Sequence, residues 1–166
     1  MNRLHKTVFF DRDGVINQER PDYVKSVDEL QIFPNVAENV KILKNSGFMI
    51  VVITNQSAIN RGLITHDDLN KIHFTIQNHL KKQDTKIDAF YYCPHRPDEN
   101  CECRKPKPGL FFKASKELNL DLKNSWMIGN NESDMQAAEF AGCKSIKINN
   151  SSKINTAVDQ ILKFNL

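Results

Sequence analysis

No stretch of this 166-residue chain approaches 18 consecutive apolar residues, and its opening MNRLHKTVFF carries neither an apolar signal core nor a cleavage site. Those absences argue against a membrane-spanning helix and against secretion, so a cytoplasmic protein is expected. An excess of one charge is missing too. Lys plus Arg is 23 against 20 Asp plus Glu, a net charge of +3. The basic residues are scattered, with short clusters only at Lys81-Lys82 and Arg104-Lys105. A polyanion binder usually shows a basic stripe, so no nucleic-acid partner is expected. There is no internal repeat and no low-complexity linker. What remains is an ordinary globular composition, 40% hydrophobic and 26% charged, long enough to bury one continuous core. A single domain over residues 1–166, acting as a monomer, is the expectation.

Apolar runs rich in β-branched and aromatic residues recur at Thr7–Phe10, Phe48–Ile53, Ile87–Tyr92, Trp126–Ile128 and Lys144–Ile148. Helical patterns separate them. Pro34–Ser46 places Val36, Val40 and Leu43 at helical spacing, with Pro34 suited to a first turn and Gly47 to a C-terminal cap. Thr65–Gln83 begins with Thr65 and Asp68, a capping-box pattern, and lines up Leu69, Ile72, Ile76 and Leu80. Gly109–Leu118 and Ser133–Ala141 come next, and a weaker helix begins near Ser152. Strands alternating with helices imply a parallel sheet covered on both faces, with ligands held at the carboxyl ends of the strands.

Four strand ends then draw attention. The first, VFFDRDGVIN, delivers Asp11 and Asp13 two positions apart before Gly14 breaks the strand. Two carboxylates there suit a hard cation such as Mg²⁺, although Asp-x-Asp-Gly also suits a simple Asx turn. The second, IVVITNQSAINRG, sets Thr54 and Asn55 where hydroxyl, amide and backbone N–H groups could cradle phosphate oxygens. Arg61 could reach the same anion bidentately. The same residues are also common turn formers.

The third end, CPHRPDENCECRKPKPG over residues 93–109, spaces Cys93, His95, Cys101 and Cys103 as Cys-x-His-x5-Cys-x-Cys. Four such ligands within eleven residues suit a closed tetrahedral Zn²⁺ site, structural rather than catalytic. Disulfide pairing is the rival, but three cysteines in a cytosolic chain fit it poorly. Cys143 stands apart and reads as a buried apolar residue. A zinc-stapled loop over residues 93–108 would aim Arg104 and Lys105, two cations facing two carboxylates. The fourth end, WMIGNNESDMQAAEFAG, leads into a helix with Asp134 in its first turn, a position where an acid is favoured in any case.

Asp11-x-Asp13, Thr54, Lys105 and Gly129…Asp134 together resemble the four motifs of the haloacid dehalogenase superfamily. DRDGVIN, TNQSAINRG, YYCPHRP, CECRKPKPG and DMQAA are similar to its D-glycero-D-manno-heptose-1,7-bisphosphate 7-phosphatase and histidinol-phosphatase group, over roughly residues 7–148. The resemblance implies a Rossmann-like α/β core without a large cap, its pocket framed by the zinc loop and the segment after Asp13. It implies a phosphomonoesterase in which Asp11 is the nucleophile and Asp13 the acid/base. Thr54 and Lys105 would hold the phosphoryl group, and Asn55, Arg61 and Arg104 would contact the rest of a sugar or polyol phosphate. Mg²⁺ would lie between Asp11, the Asp13 backbone carbonyl and the fourth motif.

One departure stands out. The resemblance calls for Asp directly after Gly129, often with Lys or Arg next, where this chain has Asn130 and Asn131. An amide oxygen can coordinate Mg²⁺ but brings no charge, leaving Asp134 as the acid of that motif. Heptose bisphosphate is the leading substrate and histidinol phosphate the runner-up. A polynucleotide phosphatase shares the first two motifs but not the zinc loop. A non-catalytic zinc-bearing module would explain Asn130, though not the retention of Asp11, Asp13, Thr54 and Lys105.

Overall fold

The computed structural model describes residues 4–165. Its sheet strands are β1 (Thr7–Phe10), β2 (Met49–Asn55), β3 (Ala89–Cys93), β4 (Trp126–Gly129) and β5 (Lys144–Lys147). All pair in parallel, in the order β3-β2-β1-β4-β5. The helices are α1 (Val36–Asn45), α2 (His66–Lys81), α3 (Gly109–Leu118), α4 (Glu132–Ala141) and α5 (Ile154–Lys163). The expected elements are therefore all present, with ends shifted by a residue or two.

Period-two alternation divides the core. Val8, Phe10, Ile50 and Val52 face α1, α2 and α5, while Phe9, Val51 and Ile53 face α3 and α4. The central strand β1 is buried along its whole length, as a parallel strand covered on both faces must be. Phe9 meets Phe111 of α3 with ring centroids 4.8 Å apart. Burying side chains of this size contributes about 1.5–3 kcal/mol each, which makes β1 a rigid platform for the carboxylates beyond Phe10. α2 begins with the capping box expected at Thr65 and Asp68. No helix among the described residues is long and apolar enough to cross a membrane.

Strand order decides which side chains meet. β1 lies between β2 and β4, so the residues after Phe10, Ile53 and Gly129 emerge side by side. Asp11 continues the ladder by donating its N–H to the Ile128 carbonyl at 3.1 Å. This is the switch point of the sheet, where neighbouring chain connections part and leave a crevice.

Candidate active site

A cleft of about 690 Å³ opens at that point, lined by Asp11, Asp13, Asn55, Gln56, Arg104, Lys105 and Asp134 together with residues 18–21, Tyr23 and Val24. Tyr23 holds φ at 68°, a backbone conformation rare for a bulky residue and recurrent at functional sites. The segment after Asp13 thus frames the cleft, as the resemblance implied.

Asp11 is nearly buried, 6% exposed, and its Oδ1 accepts from the Arg12 N–H at 2.8 Å and from Lys105 Nζ at 3.0 Å. Its Oδ2 takes no hydrogen bond from the described residues. Lys105, also buried, directs its three ammonium protons to Asp11, to Asp134 Oδ1 at 2.7 Å and to the Ile53 carbonyl at 2.8 Å. Burial opposes that positive charge, but Asp11 and Asp134 outweigh it and raise the Lys105 pKa. Asp11 goes the other way. Burial pushes its carboxyl up to about 7 against the pull of Lys105, with Asp134 and Asp13 adding to the rise. The centre is short of positive charge.

Asp13 is held as a carboxylate. Its Oδ1 accepts from Arg12 at 2.8 Å and Asn17 at 3.0 Å, and its Oδ2 from Gln56 at 2.8 Å. Burial works against ionisation, yet the Arg12 charge and the hydrogen bonds from Arg12, Asn17 and Gln56 outweigh it and lower the Asp13 pKa. The Asp13 carbonyl accepts no backbone hydrogen bond outside the regular elements among the described residues. Gln56 also donates to Thr54 Oγ1 at 2.9 Å; Thr54, the expected phosphate-binding hydroxyl, is buried and does not itself line the cleft.

Asp134 completes the group, 1% exposed at the N-terminus of α4. Its Oδ2 accepts from the Asn130 and Asn131 N–H groups, both at 3.1 Å, while Oδ1 faces Lys105. Gly129 is required here, because a Cβ would run into the Asp134 side chain. The Asn130 side chain packs over Gly14, where φ is +84° and a Cβ would strike the amide. Asn130 Nδ2 also reaches Glu19 at 3.4 Å.

Of the expected substrate contacts, Asn55 and Arg104 line the cleft and Arg61 does not. Asn55 engages its amide with Lys105, donating to its carbonyl at 3.1 Å and accepting from its N–H at 3.0 Å. It clamps the loop that carries Lys105 while itself lining the cleft. Arg61 is exposed and does not line the cleft, because the turn over residues 57–62 carries it outward, with Nε 3.4 Å from Ser57 Oγ. Arg104 does line the cleft, its Nη1 donating to the His95 carbonyl at 3.2 Å.

Behind Arg104, the donor atoms of Cys93, His95, Cys101 and Cys103 lie within 4.8 Å of one another. His95 Nδ1 is 3.4 Å from Cys93 Sγ and 3.2 Å from Cys103 Sγ. Burial raises the Cys93 and Cys103 thiols, so ionising sulfurs this close calls for a cation among them. Tetrahedral Zn²⁺, with thiolates at ~2.3 Å, fits this donor set. Cys143 lies apart and buried.

Sequence reasoning passed over Arg12, Asn17, Glu19, Gln56 and His73. Arg12 could have been suspected from a cation set between two acids. His73 lies four residues beyond Leu69 on the apolar face of α2, the spacing of a buried side chain.

A model of the haloacid dehalogenase-like hydrolases matches residues 5–142. A D-glycero-beta-D-manno-heptose-1,7-bisphosphate 7-phosphatase of Helicobacter pylori strain J99 is 41% identical over 145 residues, spanning 87% of this chain and 83% of that protein. Its namesake in Pseudomonas aeruginosa is 34% identical over 149 residues, 90% of this chain and 84% of that one. The crystal structure of a D,D-heptose 1,7-bisphosphate phosphatase from B. bronchiseptica, complexed with magnesium and phosphate, superposes with a TM-score of 0.89 at 32% identity, covering 96% of this chain and 99% of that one. With two acids leaving β1, a buried lysine bridging two carboxylates and this match over most of its length, the chain belongs to the haloacid dehalogenase-like hydrolases.

Proposed function

We propose that the protein hydrolyses the 7-phosphate of D-glycero-D-manno-heptose 1,7-bisphosphate through an aspartyl-phosphate on Asp11. One observation carries the chemistry: Asp11 is fixed through Oδ1 by Lys105 and a backbone N–H, while Oδ2 is left for an incoming phosphorus. The substrate is inferred from the shared name of the relatives, and the cleft adds Arg20 and Arg104 beyond the reacting centre for a second anionic group.

Asp11 Oδ2 attacks phosphorus and the bond to the sugar oxygen breaks; Asp13, which takes up a proton on leaving the donors that hold it ionised, passes that proton to the leaving oxygen. Asp13 then draws a proton from water as that water attacks the phospho-aspartate, which frees inorganic phosphate and restores Asp11. Both Asp13 oxygens sit in a cradle of donors, so proton transfer requires the carboxylate to swing out of it. Lys105 offsets the charge gathering around Asp11.

Mg²⁺ fits the oxygen donors at the centre: the Asp11 carboxylate and the Asp13 carbonyl would hold it, with Asn130 alongside. Asp134, its oxygens already shared between Lys105 and two backbone N–H groups, would act through water. When bound there, Mg²⁺ supplies the positive charge that the transferring phosphoryl group requires.

Asn130 makes this testable. Asn130→Asp keeps the side-chain shape and adds one charge, so the Mg²⁺ concentration for half-maximal phosphate release should fall ~5-fold, about 1 kcal/mol of added attraction. Titrations of both proteins on heptose bisphosphate and histidinol phosphate read metal and substrate together. Unchanged half-saturation would remove Asn130 from the metal site. Preference for histidinol phosphate would overturn the sugar, and no release from either would overturn the phosphatase reading.

Zinc gives a separate expectation. The protein purified without chelator should carry about one Zn²⁺ per chain, held by Cys93, His95, Cys101 and Cys103. Stripping it should weaken substrate binding, because Arg104 and Lys105 come directly after the last ligand. Elemental analysis finding negligible zinc would sink the assignment.

A further inference from the structure

Arg12 is wholly buried, and the described residues give its guanidinium two side-chain partners. Nη2 donates to Asp13 Oδ1 at 2.8 Å, Nη1 meets His73 Nε2 at 3.3 Å, and Nε has no partner. His73 comes from α2, 61 residues along the chain, and is 6% exposed. Its ring stacks on Phe90 of β3 at 4.5 Å with an interplanar angle of 19°, and Tyr92 closes one edge at 6.2 Å. The imidazole is therefore fixed in orientation by the packing of α2 on β3. Burial first, and the neighbouring guanidinium second, keep it neutral down to about pH 3, so Nε2 can accept from Arg12.

We propose that His73 is a positioning residue for Asp13, acting through Arg12. The proposal rests on the phosphatase reading, in which Asp13 must leave its donor cradle to exchange protons. A guanidinium beside a carboxylate tends to pair with it bidentately, through two parallel N–H···O bonds. Here His73 takes one of those donors, and Arg12 holds Asp13 through Nη2 alone. The carboxylate stays aligned by Arg12, Asn17 and Gln56 but is not locked by a two-pronged ion pair. Without the imidazole acceptor, Nη1 becomes a buried donor with no partner, and Asp13 is the acceptor to which Arg12 is already bonded. The guanidinium then closes on Asp13 and holds it in the cradle.

The test compares His73→Leu, which removes the acceptor, with His73→Gln, which retains one. The readout is kcat/KM on two esters, because this quantity reports the steps up to departure of the alcohol. Heptose bisphosphate has a poor leaving group that needs a proton from Asp13, whereas p-nitrophenyl phosphate releases a stable phenolate that does not. His73→Leu should lower kcat/KM about ten-fold on the sugar ester and less than three-fold on the aryl ester. His73→Gln should recover to within about three-fold of wild type on both. Thermal unfolding of each variant establishes that it is folded. Equal losses on the two esters, no loss on either, or a Gln variant no better than Leu would overturn the role of His73 while leaving the phosphatase reading intact. A wild-type protein inert toward both esters in Mg²⁺ would overturn that reading, and this role with it.

Discussion

Asp11→Asn should yield a folded protein whose phosphate release has fallen by on the order of 10⁴-fold or more, the scale on which removing a nucleophile acts. The amide has nearly the carboxylate's shape, so β1 and its neighbours keep their packing. It can still accept from Lys105 and the Arg12 N–H through its oxygen. What disappears is the attacking oxygen: the second terminus becomes an NH₂ group, which carries no negative charge to form the acyl phosphate. Stability should change little, because burial already disfavours the charged form of Asp11, as its rise to about 7 shows. The decisive measurements are single-turnover phosphate release and thermal unfolding on the same preparation. Release within about ten-fold of wild type, from a protein free of wild-type contamination, would mean that Asp11 does not form the covalent intermediate. Asp13→Asn, by contrast, should spare the aryl ester more than the sugar ester.

Lys105→Met should be the most damaging change to the fold at this site, and it should also cost about 10³-fold in activity. Removing one partner of a buried ionic group costs about 3–5 kcal/mol, because the charge left behind has neither water nor a counter-ion. Here two carboxylates are left behind. Asp11 and Asp134 share one ammonium, and both Lys105 and Asp134 are almost wholly inaccessible to water. The pH dependence gives the sign. An unfolded Asp titrates near 3.9 and folded Asp11 already near 7, so the native state holds a proton that the unfolded state releases. That contribution is complete below about pH 4 and fades as pH rises through 7. Loss of Lys105 lifts the one strong pull that lowers the Asp11 value, so the penalty should be smaller at pH 5 than at pH 8 in metal-free protein. Denaturant unfolding at the two pH values checks it. An equal penalty at both would mean that Lys105 does not neutralise these carboxylates.

Much of the architecture and of the site was legible in the residues. The elements arise from hydrophobic period, and each period is a property of neighbouring residues along the chain. The Cys-x-His-x5-Cys-x-Cys side chains lie within eleven residues, so their convergence needs only a short loop. Asp11 and Asp13 announce themselves by leaving an apolar strand just before a glycine. The positive φ of Gly14 and the close approach of Asp134 to Gly129 give physical reasons for those two glycines.

The sequence by itself thus determined the element types, the carboxylates at the end of the first strand and the clustered Cys and His side chains of the loop after β3, because each is written in residues close together. Only the tertiary structure decided which side chains those groups would meet. The order β3-β2-β1-β4-β5 sets Lys105 between Asp11 and Asp134, contacts that span 94 and 29 positions of the chain. The same packing engages Asn55 with the Lys105 backbone, turns Arg61 away and buries Arg12 between Asp13 and His73. A buried polar atom must take whichever partner the packed elements bring within about 3 Å, and that choice is made in space.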